Sequence, residues 1–320
     1  MQNRPLGTSG FSIAPLVFGG NVFGWTLDRE RAFVLLDRFF EAGFNCIDTA
    51  DVYCAWVEGK RGGESETIIG DWLAARPDHR EQAVIISKGG VNLETGRMDL
   101  SAEYITRAVE ASLKRLQVER IDLYLSHWPD PTTPVEETLR AYEKLIEQGK
   151  IAAIGSSNID AGQIREALDV SDREGLPRYA LHQPEFNLHD RAGFGPELQQ
   201  LCLDERLGVV SYYSLASGFL TGKYRSEADL SKSPRGKDVA KYLTPRGMRI
   251  LDALEEVAAE LDAKPAEVAL AWVIAYPGMT APVASASTLE QLESLIRAAS
   301  LKLPLDAFER LDQTSRHGRE

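Results

Sequence analysis

The stretch IDLYLSHWPDPTTPVEETLRAYEKLIEQGKIAAIGSSN, residues 121–158, contains one complete structural unit. Ile121 to His127 is a short apolar run, Thr133-Pro134-Val-Glu is a helix start ahead of apolar residues at helical spacing, and Ile151 to Ser156 is a second apolar run. It reads as strand, helix, strand. The same alternation runs along the whole chain, with further candidate strands at Pro15 to Phe18, Phe44 to Asp48, Ala83 to Lys88, Tyr179 to Gln183, Val209 to Tyr213 and Pro282 to Ser285. Ser101-Ala-Glu-Tyr and Asp160 offer N-caps to two more of the intervening helices.

Eight such units of about forty residues fill the 320-residue chain as a single domain, 1–320, with no low-complexity linker. The pattern predicts an α/β fold, a closed (β/α)8 TIM barrel. A pair of doubly wound domains would want a Gly-x-Gly-x-x-Gly turn after a strand, and the sequence has none. Two additions are expected. Arg4 to Ile13, turning at Gly7-Thr-Ser-Gly10, reads as an N-terminal β-hairpin cap on the barrel floor, and Gly218 to Arg246 is a long polar loop after the seventh strand.

Composition narrows the function. Hydrophobic residues at 43% and charged residues at 26% support a packed core, and a net charge of -12 repels a polyanion, so no nucleic acid partner is expected. The longest uninterrupted apolar run, Val268 to Tyr276, ends at Pro277 and is too short to span a bilayer. With Pro15 and Gly19-Gly20 breaking the N-terminal apolar patch and no cleavage pattern after it, the sequence reads as cytoplasmic, with no membrane partner. Cys46, Cys54 and Cys202 have neither disulfide nor zinc spacing and read as packing residues.

In parallel barrels the chemistry sits at the C-terminal ends of the strands. Those ends carry Asp48 with Tyr53, then Lys88, then His127. Tyrosine is a weak acid at neutral pH until a cation lowers its pKa. Lys88 is expected to supply that charge, Asp48 to hold Lys88, and His127 to orient a substrate oxygen, which suits a carbonyl becoming an alkoxide. The remaining ends bear Ser156-Ser157-Asn158, His182-Gln183-Pro184, Ser211-Tyr212-Tyr213-Ser214 and Ser285-Ala-Ser287-Thr288. Asn158 and Gln183 are expected to pair with a carboxamide and Tyr212 to stack on a flat ring, as a nicotinamide requires. From Lys223 to Arg246 seven cations (Lys223, Arg225, Lys232, Arg235, Lys237, Lys241, Arg246) face three acids, a basic loop able to close over phosphates, and the helix start at Ser287-Thr288 is a second anion site.

These residues resemble the aldo-keto reductase superfamily along essentially the whole chain. The matching segments are Asp-Thr-Ala-x-x-Tyr at 48 to 53, the strand-end Lys88, His127 in His-Trp-Pro-Asp, Ser-Ser-Asn at 156 to 158, Gln183 in His-Gln-Pro, and Leu-Ala-Ser-Gly-Phe-Leu-Thr-Gly-Lys at 215 to 223. The resemblance implies a small-molecule carbonyl substrate (aldehyde, ketone or sugar), NADP(H) across the barrel mouth with NAD(H) not excluded, and a tetrad of Asp48, Tyr53, Lys88 and His127 with Tyr53 as general acid. It also implies that Ser157, Asn158 and Gln183 grip the carboxamide and that Tyr212 stacks on the ring. Gly20, Asn21 and Asp48 join them on the cofactor side. Leu215, Ser217, Gly218, Leu220 and Lys223 then line the pyrophosphate, and Ser285, Ser287, Thr288 and Gln291 face the adenosine end.

The chain departs from many members at Ser214, where a proline is common, and at Ser285, Ser287 and Gln291, where basic residues are common. A last helix near Leu305 to Leu311 followed by a short polar tail points to an open mouth. Trp25, Trp56 and Trp128 fall in rim loops as candidate substrate walls. Two alternatives stand beside the reductase: a Schiff-base aldolase with Lys88 as nucleophile, and a cofactor-binding regulatory subunit resembling potassium-channel β-subunits.

Overall fold

The structure, a computed structural model, describes residues 2–316. Twelve strands occur among them: β1 Arg4–Pro5, β2 Ser12–Ile13, β3 Val17–Gly19, β4 Cys46–Asp48, β5 Val84–Gly89, β6 Val91–Asn92, β7 Arg97–Met98, β8 Ile121–Ser126, β9 Ile151–Ser157, β10 Tyr179–Gln183, β11 Gly208–Ser211 and β12 Ala281–Ala284. Eight of them close a parallel barrel in the order β10-β11-β12-β3-β4-β5-β8-β9. All eight expected strands are present, with no end more than two residues from its expected place and Tyr179–Gln183 unchanged. Every residue of β5 and β8 is buried, because helices cover the outer face while side chains fill the interior.

The barrel interior is a separate apolar set: Val17, Cys46, Val84, Ile86, Leu123, Leu125, Leu181, Val210, Ala281 and Val283, plugged from below by Leu6 and Ile13. Those last two belong to the antiparallel β1-β2 hairpin, the expected floor cap. Side chains alternate along a strand, so a residue two positions beyond an inward one also points inward. Cys46 thus leads to Asp48, Ile86 to Lys88, Leu125 to His127 and Leu181 to Gln183, and the pleat alone directs all four into the upper barrel.

The hairpin seats itself through Gly7, whose φ is +58°. A Cβ there would lie 1.9 Å from the Ala180 carbonyl oxygen and 2.4 Å from the Gly208 nitrogen, the floor ends of β10 and β11. Gly7→Ala combines a left-handed backbone penalty with a clash against main chain, and should destabilise by about 2–4 kcal/mol. Urea unfolding measures this, and a loss under about 1 kcal/mol would show that the hairpin can lift off the floor without consequence.

Three expectations need correction. Ser101 and Asp160 cap their helices as expected, the latter in a capping box with Gln163, but Pro134 rather than Thr133 occupies the cap of Val135–Glu147, and the Thr133 hydroxyl donates to Asp130 at 2.6 Å. The loop after β11 is not structureless. It winds through helical turns at Ala216–Thr221, Glu227–Lys232, Gly236–Val239 and Ala240–Tyr242, each too short to show a helical period. The last helix runs from Leu305 to Ser315, and residues 317–320 of the expected polar tail lie outside the described residues. No described helix is long and apolar enough to cross a membrane.

Candidate active site

At the mouth the Lys88 ammonium is fully buried and all three of its hydrogens are engaged. It lies 2.8 Å from Asp48 Oδ1 and donates to the Thr49 carbonyl at 2.7 Å and to Tyr53 Oη at 2.9 Å. The Tyr53 hydroxyl donates to Asp48 Oδ2 at 2.9 Å, closing a ring of three side chains, and Gln183 Nε2 donates to Asp48 Oδ1 at 2.7 Å. His127 stands one residue beyond β8, its N–H bonded to the Gly89 carbonyl, and its imidazole lies 6.2 Å from the Tyr53 ring. The four residues expected to converge do so.

The electrostatics differ from the expectation in one respect. The Tyr53 phenol lies well above its ordinary range, first through desolvation and then through the Asp48 carboxylate that accepts its proton. Lys88 does not make it a free acid, since its charge is matched by Asp48. Burial also lowers the Lys88 ammonium's pKa, opposed by Asp48. At neutral pH the hydroxyl therefore holds its proton, with a cation against its oxygen. His127 is pushed well below its usual range by desolvation and by Lys88, so the imidazole is neutral.

On the cofactor side, Asn158 and Gln183 are already committed within the protein. Asn158 Nδ2 donates to the His127 carbonyl and Asn158 Oδ1 accepts from Tyr212 Oη at 2.6 Å, while Gln183 spends a donor on Asp48. Without rearrangement, what these two side chains have left for a carboxamide is the Gln183 side-chain oxygen Oε1 and the second hydrogen on its Nε2. The Tyr212 ring is held by that same hydroxyl. Ser157 Oγ donates to the Gln183 backbone carbonyl at 2.8 Å. Ser285 Oγ lies 2.7 Å from both the Gly19 carbonyl and Asn21 Oδ1, which ties the first barrel loop to the last, and Gly20 accepts from Ser65. Ser287 donates to Gln291 Oε1 and Thr288 caps Leu289–Ala298, so this segment presents hydroxyls and an amide, with no cation of its own.

The basic loop is partly spoken for. Arg225 pairs with Asp252 and Glu255, Lys232 with Asp229, and Arg246 donates to the His189 and Ser315 carbonyls. Among the described residues Lys223, Arg235, Lys237 and Lys241 have no carboxylate within salt-bridge distance. Lys223 Nζ is 3.7 Å from where a Cβ on Gly218 would sit, beside the left-handed backbone of Ser217 and Gly218. Leu215 is partly buried, whereas Leu220 is fully buried and leaves only backbone to a ligand. Arg235 packs its guanidinium 5.2 Å over the Trp25 ring, and its Nη2 is buried with no hydrogen-bond partner. Lys223 beside the glycine cradle fits a phosphate, whereas Arg235 lies toward Trp25 and the Tyr53 side of the mouth. The residue types gave no sign of how far Arg235 reaches, because the loop's path places it.

Trp56 lies edge-on to both Tyr53, at 6.0 Å, and Trp25, at 5.9 Å, while Trp128 stacks on His127 at 6.0 Å. Trp56 and Trp128 remain exposed, forming aromatic walls open to solvent. Cys54, next to the phenol, is buried, its Sγ–H aimed at the Phe23 carbonyl; burial pushes the thiol up to about 11, so it stays protonated and inert. All three cysteines are free and buried.

A reductase-type barrel is the class that this geometry defines. The Aldo/keto reductase family model matches residues 15–316. An uncharacterized oxidoreductase of Bacillus subtilis, YrpG, is 33% identical over 322 residues, spanning 98% of this chain and 95% of that one. A probable voltage-gated potassium channel subunit beta of Arabidopsis thaliana is 32% identical (95% and 93%), and an NADH-specific methylglyoxal reductase of Escherichia coli is 31% identical (95% and 95%). The chain belongs to the aldo/keto reductase family.

Proposed function

We propose that this protein reduces the carbonyl of a small aldehyde, ketone or sugar to an alcohol, reversibly, with Tyr53 as general acid. The observation that carries the reading is the closed Asp48–Lys88–Tyr53 ring at the mouth, which holds one transferable proton against a buried cation. A reduced nicotinamide dinucleotide would supply the hydride when bound, held by Tyr212, Gln183, Ser217, Gly218 and Lys223. The Tyr53 hydroxyl turns from Asp48 Oδ2 to the substrate oxygen and releases its proton. Lys88, already donating to Tyr53 Oη, steadies the phenolate that results, and Asp48 keeps Lys88 in place. Neutral His127 shares the substrate oxygen, and the tryptophans bound the space around it.

The Schiff-base alternative fares poorly, since a nucleophilic lysine needs a free amine and Lys88 is enclosed with three bonds. The regulatory alternative draws support from the channel-subunit relative. NADH or NADPH oxidation across a panel of aldehydes, ketones and sugars separates the two. Turnover above about 1 s⁻¹ on at least one compound supports the enzyme, while tight dinucleotide binding with no turnover supports the subunit.

The adenosine segment bears on which dinucleotide. Without a cation at Ser285, Ser287 or Gln291, a 2′-phosphate finds hydrogen bonds but no ion pair, and charge-assisted bonds are roughly twice as strong as neutral ones. NADPH and NADH should therefore bind within about tenfold of each other, and Ser287→Arg should favour NADPH by about tenfold more. Fluorescence titration reads both, and a wild-type preference for NADPH beyond a hundredfold would contradict the account of this segment.

A further inference from the structure

We propose that Arg235 is a specificity-determining residue that binds a carboxylate at the far end of the carbonyl substrate, so that the preferred substrates are aldehydes or ketones bearing an acid group. The proposal deepens the reductase reading and rests on it for the reacting end of the molecule.

The turn that carries Arg235 is pinned on both sides. Two residues before it, Ser233 Oγ lies 2.6 Å from the hydroxyl of Tyr224, whose ring is fully buried. One residue after it, Gly236 passes so close to Leu230 that a Cβ would sit 1.6 Å from the Leu230 carbonyl oxygen. Held there, Arg235 lays its guanidinium over the Trp25 ring at 5.2 Å. Trp25 meets Trp56 at 5.9 Å, and Trp56 meets the Tyr53 ring at 6.0 Å. A run of aromatic rings thus joins the cation to the proton donor, and Trp56 keeps that run open to solvent.

The guanidinium has no anion to hold. Among the described residues none of its nitrogens donates a hydrogen bond, and Nη2 is buried as well. The titratable groups around it are Tyr213, Asp238, Tyr53 and Tyr224; three are phenols, and Asp238 stands beyond salt-bridge distance. Desolvation opposes the charge. A partly buried cation without a counter-charge is costly, and stacking on an indole offsets only part of that cost. The planar fork of an arginine matches a carboxylate through two parallel hydrogen bonds. Because two rings intervene between Arg235 and Tyr53, the acid and the carbonyl occupy opposite ends of a spacer, such as a flat ring or a short chain. The net charge of -12 repels anions from the molecule as a whole, so a preference for acids requires a local cation of this kind.

The test compares matched pairs at pH 7, 4-carboxybenzaldehyde with benzaldehyde and 4-oxobutanoate with butanal, in the wild type, Arg235→Met and Arg235→Lys. In the wild type, kcat/KM should be at least about tenfold higher for the acid in one pair or both. Arg235→Met should abolish or reverse that ratio, mainly by raising KM for the acid, while the neutral aldehyde changes less than about threefold. Arg235→Lys should keep part of the preference. The readout is a ratio within one protein, so a loss of folded enzyme cancels. A wild type without preference for either acid, or a ratio untouched by Arg235→Met, would overturn the proposal. So would a variant that weakens dinucleotide binding and slows acid and neutral aldehydes alike, which would assign Arg235 to the cofactor's phosphates. If no aldehyde is turned over, fluorescence titration of the dinucleotide-loaded protein with the same compounds reads the site by itself. Tighter binding of the acid, lost in Arg235→Met, would then uphold the carboxylate site and sink the reductase reading alone, whereas equal binding would overturn the proposal.

Discussion

Tyr53→Phe should lower kcat for carbonyl reduction by about a hundredfold to ten-thousandfold while leaving dinucleotide affinity within a few-fold of wild type. The substitution deletes the hydroxyl that donates to Asp48 and receives the Lys88 hydrogen bond, and keeps the ring that lies beside Trp56 and His127. Loss of a positioned general acid typically carries that range, or roughly 3–5 kcal/mol of barrier. Because the phenol holds its proton at neutral pH, the wild-type rate should be flat through neutrality and fall only on the alkaline side. The variant should be slow throughout. Stopped-flow measurement of dinucleotide oxidation under single-turnover conditions isolates this step from product release, and a variant within threefold of wild type would remove Tyr53 from the chemistry.

Lys88→Met should have the largest effect on stability. It leaves the buried Asp48 carboxylate with hydrogen bonds from Gln183 and Tyr53 but no cation, and removing one partner of a buried pair typically loses about 3–5 kcal/mol. The double variant Asp48→Asn with Lys88→Met should recover a good part of that loss, since neither charge is then stranded. It should nevertheless remain as inactive as the single variant, because the proton donor has lost the cation that steadies its phenolate. Urea unfolding of both singles and the double gives the coupling energy. A Lys88→Met protein within about 1 kcal/mol of wild type would mean that the pair is not buried in solution as it is here.

Most of the barrel was legible because parallel strands covered on both faces become continuous apolar runs, and Ile121 to Ser126 or Val84 to Gly89 leave little else to read. The convergence of Asp48, Tyr53, Lys88 and His127 was legible from the strand ends, and the structure's inward-facing set then shows the pleat directing Asp48, Lys88, His127 and Gln183 into the upper barrel. What escaped was long-range and polar. The Gln183 bond to Asp48 joins residues 135 positions apart, and nothing in either segment announces it. Asn158 reads as a ligand amide, and nothing in its segment announces the bonds that its left-handed backbone, φ +59°, directs to the His127 carbonyl and Tyr212. The loop after β11 hid its structure in turns of three to six residues, and the burial of Tyr224, Val239 and Tyr242 depends on what they pack against. Net charge flagged the same loop as basic without showing that Arg225, Lys232 and Arg246 hold the loop itself in place while Arg235 reaches Trp25.

The central claim is that hydride reaches a carbonyl carbon held beside the Tyr53 hydroxyl. It is tested most directly by reducing an aldehyde with dinucleotide deuterated at the nicotinamide C4 position and locating the label by mass spectrometry. Deuterium on the carbinol carbon of the alcohol, in one copy per turnover and lost with Tyr53→Phe, is the predicted result. An alcohol whose carbinol hydrogen comes from solvent, or a borohydride-trapped adduct on Lys88, would contradict it.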